Sequence, residues 1–128
     1  MKRRILFVDD DTEFLFAIEL ALRRERQRWE MVFAVGGQRG LDEAHKAPFD
    51  VVVSDMAMPG IDGVALLGAI KSEHPSTVIM MLSGRGDAKV LRELPRLHRL
   101  LSKPCTAATL RDAIESGIAS VALDQVGL

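Results

Sequence analysis

Cysteine is almost missing from this chain. A single thiol, Cys105, in 128 residues excludes an intramolecular disulfide and suits a reducing cytoplasm. Excess charge of either sign is missing too: 17 basic and 18 acidic residues leave a net charge of -1. No global field draws the chain to nucleic acid or anionic lipid, so neither is expected as a direct partner. Long apolar runs are absent; the first is short and leads into charged residues, which fits neither a signal peptide nor a membrane span. His45, His74 and His98 stand apart, so no soft-metal ligand cluster is offered. There is no internal repeat and no low-complexity tract. What is present is apolar residues at 48%, enough for one real core in a chain of single-domain size.

Those apolar residues come in strand-length runs that alternate with segments of helical period. "RILFV" (4–8), "WEMVFAV" (29–35), "DVVVS" (50–54), "TVIMMLS" (77–83) and "HRLLS" (98–102) read as strands. Helices are expected at 12–26, 38–47, 64–73, 88–94 and 106–123. In the first, Thr12 is the expected N-cap and Leu15, Ile18 and Leu22 form the buried stripe. Its end carries Arg23, Arg24, Arg26 and Arg28, read as a solvated, dipole-complementing end rather than a phosphate patch. "MPGIDG" (58–63) is turn chemistry, and "GRGD" (84–87) reads as a flexible loop. Five strand–helix pairs in strict alternation imply an α/β fold with a doubly wound parallel sheet.

In such sheets ligands gather beyond the carboxyl ends of the strands. The first strand runs into Asp9, Asp10 and Asp11; the third ends in Asp55, the fourth in Ser83, and the fifth in Lys103. Carboxylates side by side repel unless a cation lies among them. Carboxylate and water oxygens suit Mg²⁺, beside which a carboxylate can attack phosphorus. Lys103 would neutralise a transferred phosphoryl group and Ser83 would donate to it.

The segments "FVDDD", "VVVSDMAMPGIDG", "MMLSG" and "SKPC", in this order and at these separations, resemble the response-regulator receiver domains of bacterial two-component signalling over essentially the whole chain. The resemblance implies a flavodoxin-like (βα)5 fold with strand order 2-1-3-4-5. It implies Asp55 as phosphoacceptor. Asp9 and Asp10 would hold Mg²⁺, together with Asp55 and the backbone carbonyl of Ala57. Ser83 and Lys103 would contact the phosphoryl group, and the bond before Pro104 would be cis. The domain would span 1–124, with 125–128 a tail or the start of a linker. It would catalyse its own phosphorylation and slow dephosphorylation without being an enzyme for outside substrates.

The partners implied are a histidine kinase or histidine phosphotransfer protein, and a second copy of the chain as a homodimer. "HPSTVIMMLSG" and "SKPC" further resemble receivers joined to HD-type output modules such as cyclic-di-GMP phosphodiesterases. One position departs. Receivers usually carry Tyr, Phe or His three residues before the lysine, as a ring that turns inward on activation, and here that residue is Leu100. Switching would then fall on residues 84–95.

Other residues have plainer readings. Asp11 stabilises a helix N-terminus, Asp62 belongs to a turn, and Cys105 packs as a small hydrophobe. Met56, Met58, Met80 and Met81 fill core and loop, and the Arg85-Gly86-Asp87 triplet is coincidence. Two rival functions exist. A haloacid-dehalogenase-type phosphatase wants Asp-x-Asp with Thr or Val two further on; here Glu13 stands there, Thr12 falls one place early, and there is no cap insertion. A receiver-shaped module that works without phosphate usually lacks an acid or the lysine, and none is missing.

Overall fold

The computed structural model describes residues 2–84 and 88–125, with side chains over the same residues except 88–89 and 122–125. Five strands, β1 (Arg3–Asp9), β2 (Trp29–Val35), β3 (Val51–Asp55), β4 (Val78–Ser83) and β5 (Arg99–Ser102), alternate with helices. The helices are α1 (Thr12–Ala21), α2 (Gly37–Lys46), α3 (Gly63–Glu73), α4 (Ala88–Glu93) and α5 (Ala107–Gln125). All pairings are parallel, in the order β2-β1-β3-β4-β5.

Period-two alternation in the strands builds two cores, one on each face of the sheet. Ile5 and Phe7, Val51 and Val53, Met80 and Leu82 point to one face, where Leu15, Ile18 and Leu22 from the α1 region and Leu110 and Ile114 of α5 cover them. Leu6 and Val8, Val52, Ile79 and Met81 point to the other, against Ala44 of α2, Leu66, Leu67 and Ile70 of α3, and Val90 of α4. Met58 joins this second core, and Met56 packs against it from the loop. Cys105 packs beside the first core.

The helix expected over 12–26 is two elements. Asp11, not Thr12, is its N-cap: the Asp11 carboxylate accepts the N–H groups of Glu13 and Phe14. α1 stops at Ala21, and Arg23–Gln27 form a 3-10 turn. After Leu22 no apolar side chain falls on the stripe until Trp29, and none of residues 23–27 is buried. With no face to bury, the α-helix has no packing to extend it. Arg28 closes the segment by pairing with Glu25 at 2.6 Å and with Glu115 of α5. The loop expected over 84–87 lies outside the described residues but for Gly84, and residues 126–128 of the expected tail lie outside them too.

Candidate functional site

The carboxyl ends of β1, β3, β4 and β5 open on one edge of the sheet, and the acids, the hydroxyl and the lysine singled out above meet there. Asp9 is the last residue of β1 and 1% exposed. Asp10 follows it, exposed, and Asp55 ends β3 half-buried. One carboxylate oxygen from each of the three lies within 4.8 Å of the others. The donors are carboxylate oxygens alone, the set a hard, oxygen-seeking divalent cation prefers and a soft one does not.

Lys103 reaches into this cluster from the end of β5. Its ammonium donates to Asp9 Oδ2 at 2.9 Å and lies 3.2 Å from Asp55 Oδ1. Burial works against the ammonium's charge, but Asp9 and Asp55 outweigh it and hold Lys103 above the usual lysine range. Asp55 moves the other way from an ordinary paired acid. Burial first, and then the negative charge of Asp9, push its carboxyl up, against the downward pull of Lys103 and of the Met56 N–H at 3.0 Å. One lysine is not enough positive charge for this edge.

Ser83 ends β4, 2% exposed, with its hydroxyl 3.8 Å from Met56 Sδ. The backbone N–H of Lys103 donates to the Ser83 carbonyl at 2.8 Å, which ties the hydroxyl and the ammonium to one rung of the sheet. Lys103-Pro104 is cis. Ala57 is exposed, two residues past Asp55 in the loop that leaves β3. Leu100 is half-buried and packs against the core under α3 and α4.

Three contributors escaped the sequence reading. Phe14 of α1 lies under Lys103, with the ammonium 4.4 Å from the ring centre. No motif marks it, because ring and lysine meet only once α1 has packed on β1 and β2 and the chain leaving β5 brings Lys103 over it. Gly63 opens α3 directly against β3: a Cβ there would stand 2.2 Å from the Asp55 carbonyl oxygen and 2.9 Å from Met56 Cα. Its N–H donates to the Met56 carbonyl at 2.8 Å and closes the loop around Asp55. Asp62, read as a turn residue, also caps α3 by accepting the Ala65 N–H at 2.8 Å. Ser54 is buried and donates to the Asp55 carbonyl at 2.8 Å. Asp11 takes no part in the acidic cluster beyond donating its N–H to Asp9 Oδ1 at 3.0 Å.

Comparison with known proteins identifies the family and the fold. Residues 5–115 match the family model described as response regulator receiver domain. The chain is 29% identical over 126 residues to the transcriptional activator protein PfeR of Pseudomonas aeruginosa, covering 98% of this chain but 41% of PfeR. It is 27% identical over 119 residues to sporulation initiation phosphotransferase F of Bacillus subtilis, covering 90% of this chain and 93% of that protein. Among solved structures, a receiver domain protein from Clostridium thermocellum superposes with a TM-score of 0.84 at 30% identity, covering 94% and 98% of the two chains. The signal receiver domain of an HD domain-containing protein from Pseudomonas fluorescens does so with a TM-score of 0.85 at 26% identity and the same coverage. The chain thus spans less than half of one curated relative and nearly all of another.

Proposed function

This chain belongs to the response regulator receiver domains, the phosphoacceptors of two-component signalling, and from that premise we propose that Asp55 is the residue that accepts the phosphoryl group. The observation that carries the assignment is the position of Asp55: at a strand end, between Asp9 and Lys103, with its charge under-compensated. The proposed donor is a phosphohistidine on a histidine kinase or a histidine phosphotransfer protein. An Asp55 carboxylate oxygen attacks phosphorus, an O–P bond forms as the N–P bond of the donor breaks, and the histidine nitrogen keeps the electron pair.

Asp9, Asp10, Asp55 and the Ala57 carbonyl would hold Mg²⁺, which when bound supplies the positive charge this edge lacks. Lys103 holds Asp9 and Asp55 together in its absence. It is within reach to follow the phosphoryl oxygens once Asp55 carries the acyl phosphate. Ser83 offers its hydroxyl to the same oxygens from the neighbouring strand. The reading extends to self-catalysed phosphorylation and slow hydrolysis of the acyl phosphate. The domain is assigned to 1–124, in the cytoplasm. No helix among the described residues is long and apolar enough to cross a membrane. An HD-type output in a longer protein is favoured by the likeness to the receiver of an HD domain-containing protein. A homodimer is the further partner proposed.

Treatment with acetyl phosphate and Mg²⁺, followed by peptide mass spectrometry, tests the assignment. Asp55 is expected to be the one modified residue, with no label in chelator. A phosphorylated peptide elsewhere, with Asp55 bare, overturns it. Sustained turnover of an outside phosphoester would instead favour the phosphatase reading.

A further inference from the structure

One face of α1 takes no part in the acidic site and is left to solvent. Glu13, Phe16, Ala17, Leu20 and Ala21 form a stripe at helical spacing, opposite the buried Leu15 and Ile18, and all five are exposed. Phe16 is 67% and Leu20 52% exposed, two of the four large apolar side chains that the described residues present to solvent. Charge bounds the stripe. Glu13 stands in the first turn, and Arg24, also exposed, lies in the 3-10 turn after Leu22. Among the described residues neither side chain has an ion pair, whereas Glu19 and Arg26 beside them meet at 3.6 Å.

The pattern is its own complement. Residues 13 and 24, 16 and 21, and 17 and 20 are each centred on one level, between Ile18 and Glu19. A second copy laid antiparallel about a two-fold axis at that level sets Phe16 against the partner's Ala21 and Leu20 against the partner's Ala17. It also sets Glu13 beside the partner's Arg24. Each large side chain meets a small one, so the helices approach closely, and opposite charges close both ends. A parallel pair would instead set Glu13 against Glu13 and Arg24 against Arg24.

Building on the homodimer proposed above, we propose that α1 is the face through which two copies of this chain associate, antiparallel and isologous. A helix of ten residues is about 15 Å long, too short to cover the ~800 Å² per partner of a standard interface. The association is therefore weak and reversible, and should show at about 0.1–1 mM chain.

Sedimentation velocity of the full chain from about 10 µM to 1 mM tests it. The sedimentation coefficient is expected to rise with concentration. Phe16→Glu, at an exposed position, should hold the chain as a monomer, with circular dichroism and labelling of Asp55 by acetyl phosphate unchanged. Glu13→Arg and Arg24→Glu should each weaken association about three- to tenfold, by setting like charges together at both ends, and the double variant should restore it. A wild-type chain that stays monomeric throughout overturns this face and the homodimer together, and leaves the stripe to a helix of the phosphodonor. A dimer that survives Phe16→Glu overturns α1 as the interface while the homodimer stands. Dissociation by Phe16→Glu without rescue in the double variant overturns the antiparallel arrangement.

Discussion

Asp55 is caught between two demands. Its carboxylate must reach the edge of the sheet to react, yet burial first, and then the charge of Asp9, raise its pKa. A carboxyl whose folded pKa exceeds its unfolded value stabilises the fold while protonated, and that contribution is lost as pH rises through the folded pKa. Asp55→Asn should therefore make the metal-free protein more stable at neutral pH. The gain should be on the order of 1 kcal/mol once solvent screening is allowed for. It should fade as pH falls through the raised pKa toward the unfolded value near 3.8. Urea denaturation of both proteins in chelator, at neutral and acid pH, checks sign and trend; a destabilised variant would mean that the Lys103 and Met56 contacts outweigh the repulsion. Phe14 offers a second residue-scale test. Phe14→Leu keeps the packing but removes the ring face from Lys103. Beryllofluoride affinity should drop about two- to fivefold, the worth of a cation–π contact, with Phe14→Trp restoring it. Equal affinity in all three would reduce the ring to a packing role.

At the scale of elements, α3 separates two kinds of glycine. Gly63 has no room for a methyl group against the Asp55 carbonyl, whereas a Cβ on Gly68 would meet nothing nearer than Leu94 Cδ2 at 3.8 Å. Gly63→Ala should cost about 1–3 kcal/mol and displace the β3–α3 loop, slowing labelling of Asp55. Gly68→Ala, in a helix interior, should add about 0.5–1 kcal/mol and leave labelling alone. Denaturation midpoints of the pair decide this. α4 is the shortest of the α-helices, six residues with Val90 as its buried anchor and Leu91 52% exposed. β5, by contrast, lays Leu100, half-buried, against the core under α3 and α4. With no ring to turn at Leu100, activation should appear at α4 and the connection that follows it. Hydrogen exchange with and without beryllofluoride should change at 84–95 and stay level at 98–101. Changes centred on β5 would refute that route.

For the whole molecule, the sheet acts as a divider with unlike ends. One edge gathers acids around a single lysine, and the other is lined by Lys71, Ser76, Arg96 and His98. Metal bound to the folded acidic edge, and not to the unfolded chain, must raise global stability by mass action. At ten times the dissociation constant the increment is about 1.4 kcal/mol. Mg²⁺ should thus raise the urea midpoint of the native chain and do little for Asp10→Asn. An equal rise in both would mean that the cation acts elsewhere.

The sequence by itself determined the order and kind of the elements, because periodicity is a local property. Alternation of period two and period 3.6 does not depend on what packs against it. It also determined which residues stand at strand ends, and so that Asp9, Asp55, Ser83 and Lys103 share one edge. Their meaning came from motif resemblance rather than from periodicity. Helix boundaries were less legible. The shift of the cap from Thr12 to Asp11 and the break after Ala21 depend on which side chains find a buried face, a tertiary matter. Only the folded structure decided that Lys103, 94 residues from Asp9 in the chain, bridges Asp9 and Asp55 over the ring of Phe14. It alone decided that Gly63 must lack a side chain, and that α5 closes over Val78 at Gly117. These are contacts between distant segments. Their distances are fixed by how helices seat on a twisted sheet, which no local pattern of residue types encodes.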